Sequence, residues 1–270
     1  MTPLTDHGLR LAFVAASVCL GMPCLAADDD DLQKKLANPL ADIVTVPLQL
    51  TTTGETGPLK RPQHALNVQP VYPMQFGSGM LIHRVIVPLL SVPAAVPGQE
   101  RENGLGDITY EVFYSPPPKG DTVWGVGPVV QLRTATDDRL GTGKWSAGPA
   151  FVFVKQPGQW SWGALLTHLW SFAGSDDRRR VSQTQLQPLL SYRVDAQHTW
   201  GYMGTLTANW EESRSSERWT VPLGVSYTTL VRTAGHPPVS YLLGAGYNVV
   251  RPDGAGTWFL RLQVTFVLPK

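Results

Sequence analysis

The residues that could carry chemistry are few and scattered. Beyond residue 26 there are five histidines, His64, His83, His168, His198 and His236. None belongs to a His-Glu-x-x-His pair that would hold zinc from one helix face, and no Gly-x-Ser-x-Gly turn presents a serine nucleophile. Both cysteines, Cys19 and Cys24, fall within the first 26 residues, so a chain cleaved there has no thiolate and no disulfide. His168, upstream of Asp176-Asp177, is the nearest approach to a base with a carboxylate partner. A satisfied or interfacial histidine is the reading it favours. Asp137-Asp138 and Asp176-Asp177 offer the several oxygens that a hard divalent cation takes, or they are solvated loop charge. The guanidinium groups of Arg178, Arg179 and Arg180 match the geometry of a lipid phosphate. The expectation is no catalytic residue, no cofactor and no metal.

Whatever positions these side chains is built from strands. In the stretch WFLRLQVTFVL, Trp258, Leu260, Leu262, Val264, Phe266 and Leu268 alternate with Arg261, Gln263 and Thr265, and Phe259 and Val267 close the polar set at its ends. Alternation this long marks a strand with one apolar and one polar face. With aromatics near both ends, it suits the closing strand of a membrane barrel, apolar face to lipid and polar face to lumen. From Ile43 onward the chain breaks into about twelve such segments, each near the roughly 9–11 residues that a tilted strand needs to cross a bilayer. They are 43–51, 65–76, 80–91, 107–115, 123–134, 145–155, 160–171, 182–193, 199–211, 218–230, 239–249 and 257–268. The segment 80–91 is apolar on both faces, so its register is ambiguous. Pro47, Pro70, Pro88, Pro128, Pro149, Pro188 and Pro222 interrupt the segments, and local bulges are expected there because each removes a ladder donor.

Composition agrees with many short strands: Gly 26, Pro 23 and Trp 9, with only 16% charged residues, below the roughly 25% of soluble domains. A net charge of +1 gives no reason to expect nucleic acid. Alternate connections are longer and richer in charge, as outer loops are, and the others are short, as periplasmic turns are. All nine tryptophans, Trp124, Trp145, Trp160, Trp162, Trp170, Trp200, Trp210, Trp219 and Trp258, fall near a segment end. An aromatic girdle at the two water–lipid interfaces places them there, whereas a soluble sandwich would bury them mid-strand.

The expected fold is therefore all-β, a transmembrane antiparallel up-and-down β-barrel of about 12 strands with a short N-terminal amphipathic helix. Arg10, the apolar run Leu11 to Leu20 and Cys24-Leu25-Ala26 make residues 1–26 a cleavable signal peptide for export to the outer membrane. Residues 27–42, with Leu32, Leu36 and Leu40 four apart, form a periplasmic or plug segment. Residues 43–270 form the barrel. Candidate lumen residues are Glu111, Gln131, Arg133, Gln183, Gln185, Gln187, Arg193, Asn209, Glu211, Arg261 and Gln263. Mixed sign and many glutamines favour a neutral or zwitterionic solute. Eight strands fill a barrel with side chains and sixteen leave a clear channel, so twelve permits a narrow pore or a plugged one. A structural or surface-interaction barrel with a blocked lumen is the alternative function.

Several phrases together resemble a known family: LANPLADIVTVPLQ from Leu36, GLGDI from Gly104 and WGVGPVVQLRTATDDRLGTGKWSAGP from Trp124. GALLTHLWSFAG from Gly163, LQPLLSY from Leu186, WTVPLGVS from Trp219 and RLQVTFVLPK from Arg261 complete the set. The chain is similar here to bacterial outer-membrane transporters of the phenol meta-cleavage-pathway type, sometimes mislabelled neuromedin U. The resemblance implies an outer-membrane barrel associated with uptake of aromatic compounds or other small solutes, and supplies no catalytic motif. The partners it implies are the lipid bilayer and lipopolysaccharide, the barrel-assembly machinery, with Phe266 the aromatic nearest the end of the chain, and a small-molecule solute.

Overall fold

A computed structural model describes residues 29–269, and the signal peptide expected over 1–26 lies outside them. The chain opens on helix α1 (Asp29–Leu36) and continues as β1 (Val44–Thr56), β2 (Arg61–Val68), β3 (Val71–Phe76), β4 (Gly79–Val92), β5 (Glu102–Leu105) and β6 (Thr109–Ser115). There follow β7 (Thr122–Gln131), β8 (Lys144–Lys155), β9 (Trp160–Gly174), β10 (Ser182–Arg193), β11 (His198–Tyr202) and β12 (Leu206–Asn209). A single helical turn, α2 (Ser215–Arg218), precedes β13 (Trp219–Val231), β14 (Val239–Val250) and β15 (Trp258–Leu268). Three wall positions are each made of two pieces: β2 with β3, β5 with β6, and β11 with β12. The result is a closed antiparallel barrel of 12 strands. Closure leaves no sheet edge, which lets strands satisfy every backbone group without water. No helix among the described residues is long and apolar enough to cross a membrane.

The seam is made by the first and last strands, paired from Val44↔Leu268 to Thr53↔Phe259. At its outer end the Trp258 ring lies over Gly54, where a Cβ would sit 2.0 Å from the ring. The three breaks in the wall are next to prolines. The gap between β2 and β3 holds Pro70 and faces Pro47, whose carbonyl accepts from Gln69 N at 2.9 Å. The gap between β5 and β6 faces Pro88, whose carbonyl accepts from Gly106 N at 2.8 Å. The gap between β11 and β12 faces Pro188 on one neighbour and Pro222 on the other, and β13 shifts register at Val221/Pro222. A residue without an N–H cannot hold its neighbour in the ladder, so the neighbour bulges away.

Side-chain direction follows the strand period. On β15, Trp258, Leu260, Leu262, Phe266 and Leu268 are exposed, while Phe259, Thr265 and Val267 are buried inside and Arg261 and Gln263 are half-buried there. All nine tryptophans are on the outer surface, each more than a third exposed. Trp145, Trp170, Trp210, Trp219 and Trp258 fall at one rim, and Trp124, Trp160, Trp162 and Trp200 at the other. On β9 the ten residue steps from Trp160 to Trp170 span roughly 25 Å along the axis of a tilted strand, the height of a membrane barrel's apolar band. Several expected boundaries shift. The first strand runs on to Thr56 and turns tightly into Arg61, so the loop expected over 52–64 is mostly hairpin. The fifth wall strand, β7, stops at Gln131, short of the expected 134.

Candidate functional site

The interior divides into two unlike halves. Across β4 to β9 a block of inward positions is apolar: Ile82, Phe113, Val129, Ala150, Val152, Val154, Leu165 and Leu169 pack into one cluster. Leu40, from the segment after α1, completes it. It fits because Gly125 stands opposite: a Cβ there would lie 3.1 Å from Leu40 Cδ1. This half is filled by side chains, as in smaller barrels.

The other half is polar and open. A chamber of about 310 Å³ is bounded by β1, β3, β4, β9, β10, β11, β13, β14, β15 and the N-terminal segment. Gln49, Gln187, Gln263 and Arg261 contribute polar groups, and Leu165, Leu189, Met203 and Leu242 contribute apolar surface. Arg261 Nε donates to Thr51 Oγ1 at 3.2 Å, across the seam. Arg84 extends from β4 and donates to Gln69 Oε1 at 2.8 Å and to Glu111 Oε2 at 3.3 Å, and the Glu111 side chain is almost wholly buried.

At the end of the barrel where β1 begins and β15 finishes, the expected periplasmic one, α1 occupies the mouth. Leu32 packs with Leu230 and Val267, with Leu36 and Ile43 beside them. Gln33 Nε2 donates to the Gln197 carbonyl at 2.7 Å, and Gln156 Nε2 to the Lys34 carbonyl at 2.9 Å. Asp30 pairs with Arg193 at 2.6 Å and Asp29 with Arg232. The three aspartates in the first turn oppose the helix dipole favourably, and Asp31 pairs with Lys35 one turn on. In the turn beside it, the hydrogen bond with His198 holds the Asp195 carboxyl below the usual carboxylate range.

At the outer end, the loop after β7 folds over the rim. Asp107 accepts from Ala135 N, Thr142 N and Thr142 Oγ1, and Leu140 is buried. Arg178 clamps the same loop, donating to the carbonyls of Asp138 (2.7 Å) and Gly141 (2.5 Å). Arg139 ties it to Glu102 and Asp137. Asp137 is thus engaged by Arg139 of its own loop and Asp138 by Arg178 of the neighbouring one, and Arg178, whose guanidinium could match a lipid phosphate, is turned onto backbone carbonyls. Arg179 pairs with Glu212 at 2.8 Å, and Arg180 is exposed.

Of the expected lumen residues, Glu111, Gln131, Gln183, Gln185, Gln187, Arg193, Asn209, Arg261 and Gln263 occupy inward register positions. Gln187, Arg261 and Gln263 meet at the chamber. Arg193 is spent on the helix, and Gln131 lines the space under the outer loop. Arg133 and Glu211 lie beyond the ends of β7 and β12, exposed in outer connections. Sequence reasoning missed Lys35, Arg84, Gln49 and Met203 on the chamber wall. Arg84 had a signal: one arginine in an otherwise apolar strand marks the inward face. His168 faces outward, its Nδ1 2.7 Å from Thr184 Oγ1, and Trp210 Nε1 donates to the same oxygen at 2.8 Å. The carboxylates of Asp176 and Asp177 make no ion pair with it, so the base–carboxylate arrangement considered for His168 is not formed.

A family model described as "Putative MetA-pathway of phenol degradation" matches residues 67–229. Among solved structures the chain is similar to an outer membrane channel from Pseudomonas putida F1, with TM-score 0.60 and 16% identity over 84% of this chain and 94% of that one. It is also similar to the NanC porin, with TM-score 0.54 and 12% identity over 83% of this chain and all of that one. Outer membrane phospholipase A from Escherichia coli is a more distant likeness, with TM-score 0.44 and 11% identity over 91% of this chain and 99% of that one. No curated protein matches the sequence.

Proposed function

The chain belongs to the outer-membrane family described as "Putative MetA-pathway of phenol degradation", and on that premise we propose that it is a passive channel for small solutes, aromatic compounds among them. The observation that carries the reading is the 310 Å³ chamber inside the barrel, lined by both polar and apolar side chains and bounded below by α1. It is at the small end of ligand cavities, which run from roughly 300 to 1,000 Å³. Selectivity then rests on chamber width and on the groups that face it, with no bond made or broken in the wall. The segment 29–41 acts as a plug, held by the ion pairs of Asp29 and Asp30, the hydrogen bonds of Gln33 and of the Lys34 carbonyl, and its leucines. The bilayer holds the outer apolar face between the tryptophan rims, and lipopolysaccharide meets the loops.

The competing reading is a barrel with a blocked lumen that works through its loops. It draws support from the packed half of the interior, where Val152 and Val154 are fully buried. Planar-bilayer recording of the refolded protein separates the two. Deleting residues 29–41 is expected to raise single-channel conductance several-fold over the full chain. Absence of current from both forms, with heat-modifiable gel migration showing intact barrels, would leave the blocked reading standing.

A further inference from the structure

The charges around the chamber are one-sided. Its wall carries three cations, Lys35, Arg84 and Arg261, and no aspartate or glutamate. Lys35 is neutralised by Asp31 at 2.7 Å and Arg84 by Glu111 at 3.3 Å. Arg261 is different. Among the described residues its guanidinium makes a single hydrogen bond, to Thr51 Oγ1, and no carboxylate lies within 4.0 Å. Four of its five N–H donors are unspent on protein. A guanidinium set this deep in a narrow lumen forfeits much of its hydration, and the wall supplies no countercharge to offset the loss.

We infer that the chamber binds a small organic monoanion, its carboxylate paired with Arg261 and its apolar body laid against the half-buried Leu189 and Leu242. The planar guanidinium fork matches a carboxylate in a two-bonded pair, which a hydroxyl or an amide cannot reproduce. One unneutralised cation calls for one negative charge. The glutamines beside it, Gln263 on the same strand and Gln187 across the chamber, donate to carboxylate oxygens without adding charge of their own. Leu189 on β10 and Leu242 on β14 offer apolar surface that a ligand's apolar body covers with gain and a ligand polar all round does not. The inference rests on the lumen being the solute's path, and it adds the chemical class of that solute. It also revises the neutral or zwitterionic solute expected from mixed sign along the chain. Glu111 is consumed by Arg84 and Glu211 stands outside the wall, so the acidic part of that mixture never reaches the chamber.

The test is equilibrium binding of benzoate and of benzyl alcohol, as charged and neutral probes of one shape, to the full refolded protein in detergent micelles, with empty micelles as blank. The expected result is benzoate bound at least about tenfold more tightly than benzyl alcohol, the scale of one charge-assisted pair. Arg261→Gln is expected to erase that preference, and Arg261→Lys to keep part of it. Gln263→Glu places a carboxylate two residues along the same face of β15 and is expected to occupy Arg261 and weaken benzoate about tenfold in an intact barrel. Equal binding of the two probes by the native chain, or an unchanged preference in both Arg261→Gln and Gln263→Glu, overturns the inference. A protein that conducts but shows no benzoate preference fails this inference alone. One that prefers benzoate but never conducts fails the channel reading alone.

Discussion

Glu111→Ala is expected to destabilise the barrel by about 3 kcal/mol, the low end of the roughly 3–5 kcal/mol that follows when one partner of a buried ion pair is removed. The large effect comes from what is left behind. Glu111 is 6% exposed at its side chain and Arg84 20%, so the truncation strands a cation that keeps only Gln69 as a partner. The low end applies because Arg84 borders the chamber and retains access to water there. Removing both charges together, as Arg84→Met with Glu111→Leu, is expected to recover most of the loss, since a pair of well-packed apolar side chains is often no worse than the ion pair they replace. Reversible urea unfolding in lipid vesicles reads both numbers. Equal losses in the single and double variants would mean that the pair contributes packing alone.

Much of this architecture was legible because a membrane barrel leaves its period on each strand. The lipid face must be apolar wherever it touches hydrocarbon, so a polar inner face yields clean alternation, as it does on β10 and β15. That is why the twelve wall positions and the inward set from Gln183 to Arg193 could be placed from residue types alone. The signal fails where the inner face is apolar as well. Along most of β7 and β8 the inward residues are Gly125, Gly127, Val129, Ala150, Val152 and Val154, with polar ones (Gln131, Lys144, Ser146) only toward one end, so little of a polar face distinguishes inside from outside. The reason for their apolarity lies elsewhere in the chain: Leu40 and the facing Ile82, Phe113 and Leu165 cover them. A division of the lumen into a packed half and an open half is a property of side chains meeting across the barrel, which no single strand records. The same holds for Arg133 and Glu211, each consistent with alternation but set two residues beyond where its strand ends.

Charge placed on the outer surface of β15 is expected to cost stability in proportion to its depth. Leu262→Arg, near mid-height of the strand and 53% exposed on the outer face, is expected to lose about 2–4 kcal/mol when folding is measured into lipid vesicles. Leu268→Arg, at the periplasmic end, is expected to lose no more than about 1 kcal/mol, because the guanidinium there reaches headgroups and water. Gln187→Arg, on the chamber wall, is expected to cost less than about 1 kcal/mol, since it keeps lumen water and changes selectivity instead. The gradient, more than any single value, carries the argument. If the exposed leucines of this sheet faced water, Leu262→Arg would be neutral or mildly favourable and depth would not matter, because an exposed arginine in water costs almost nothing. A cost that peaks between the two tryptophan rims and vanishes at both requires a hydrocarbon slab of that height around the barrel. A flat profile along Leu260, Leu262, Val264, Phe266 and Leu268 would remove the membrane from the account of why this outer surface is apolar.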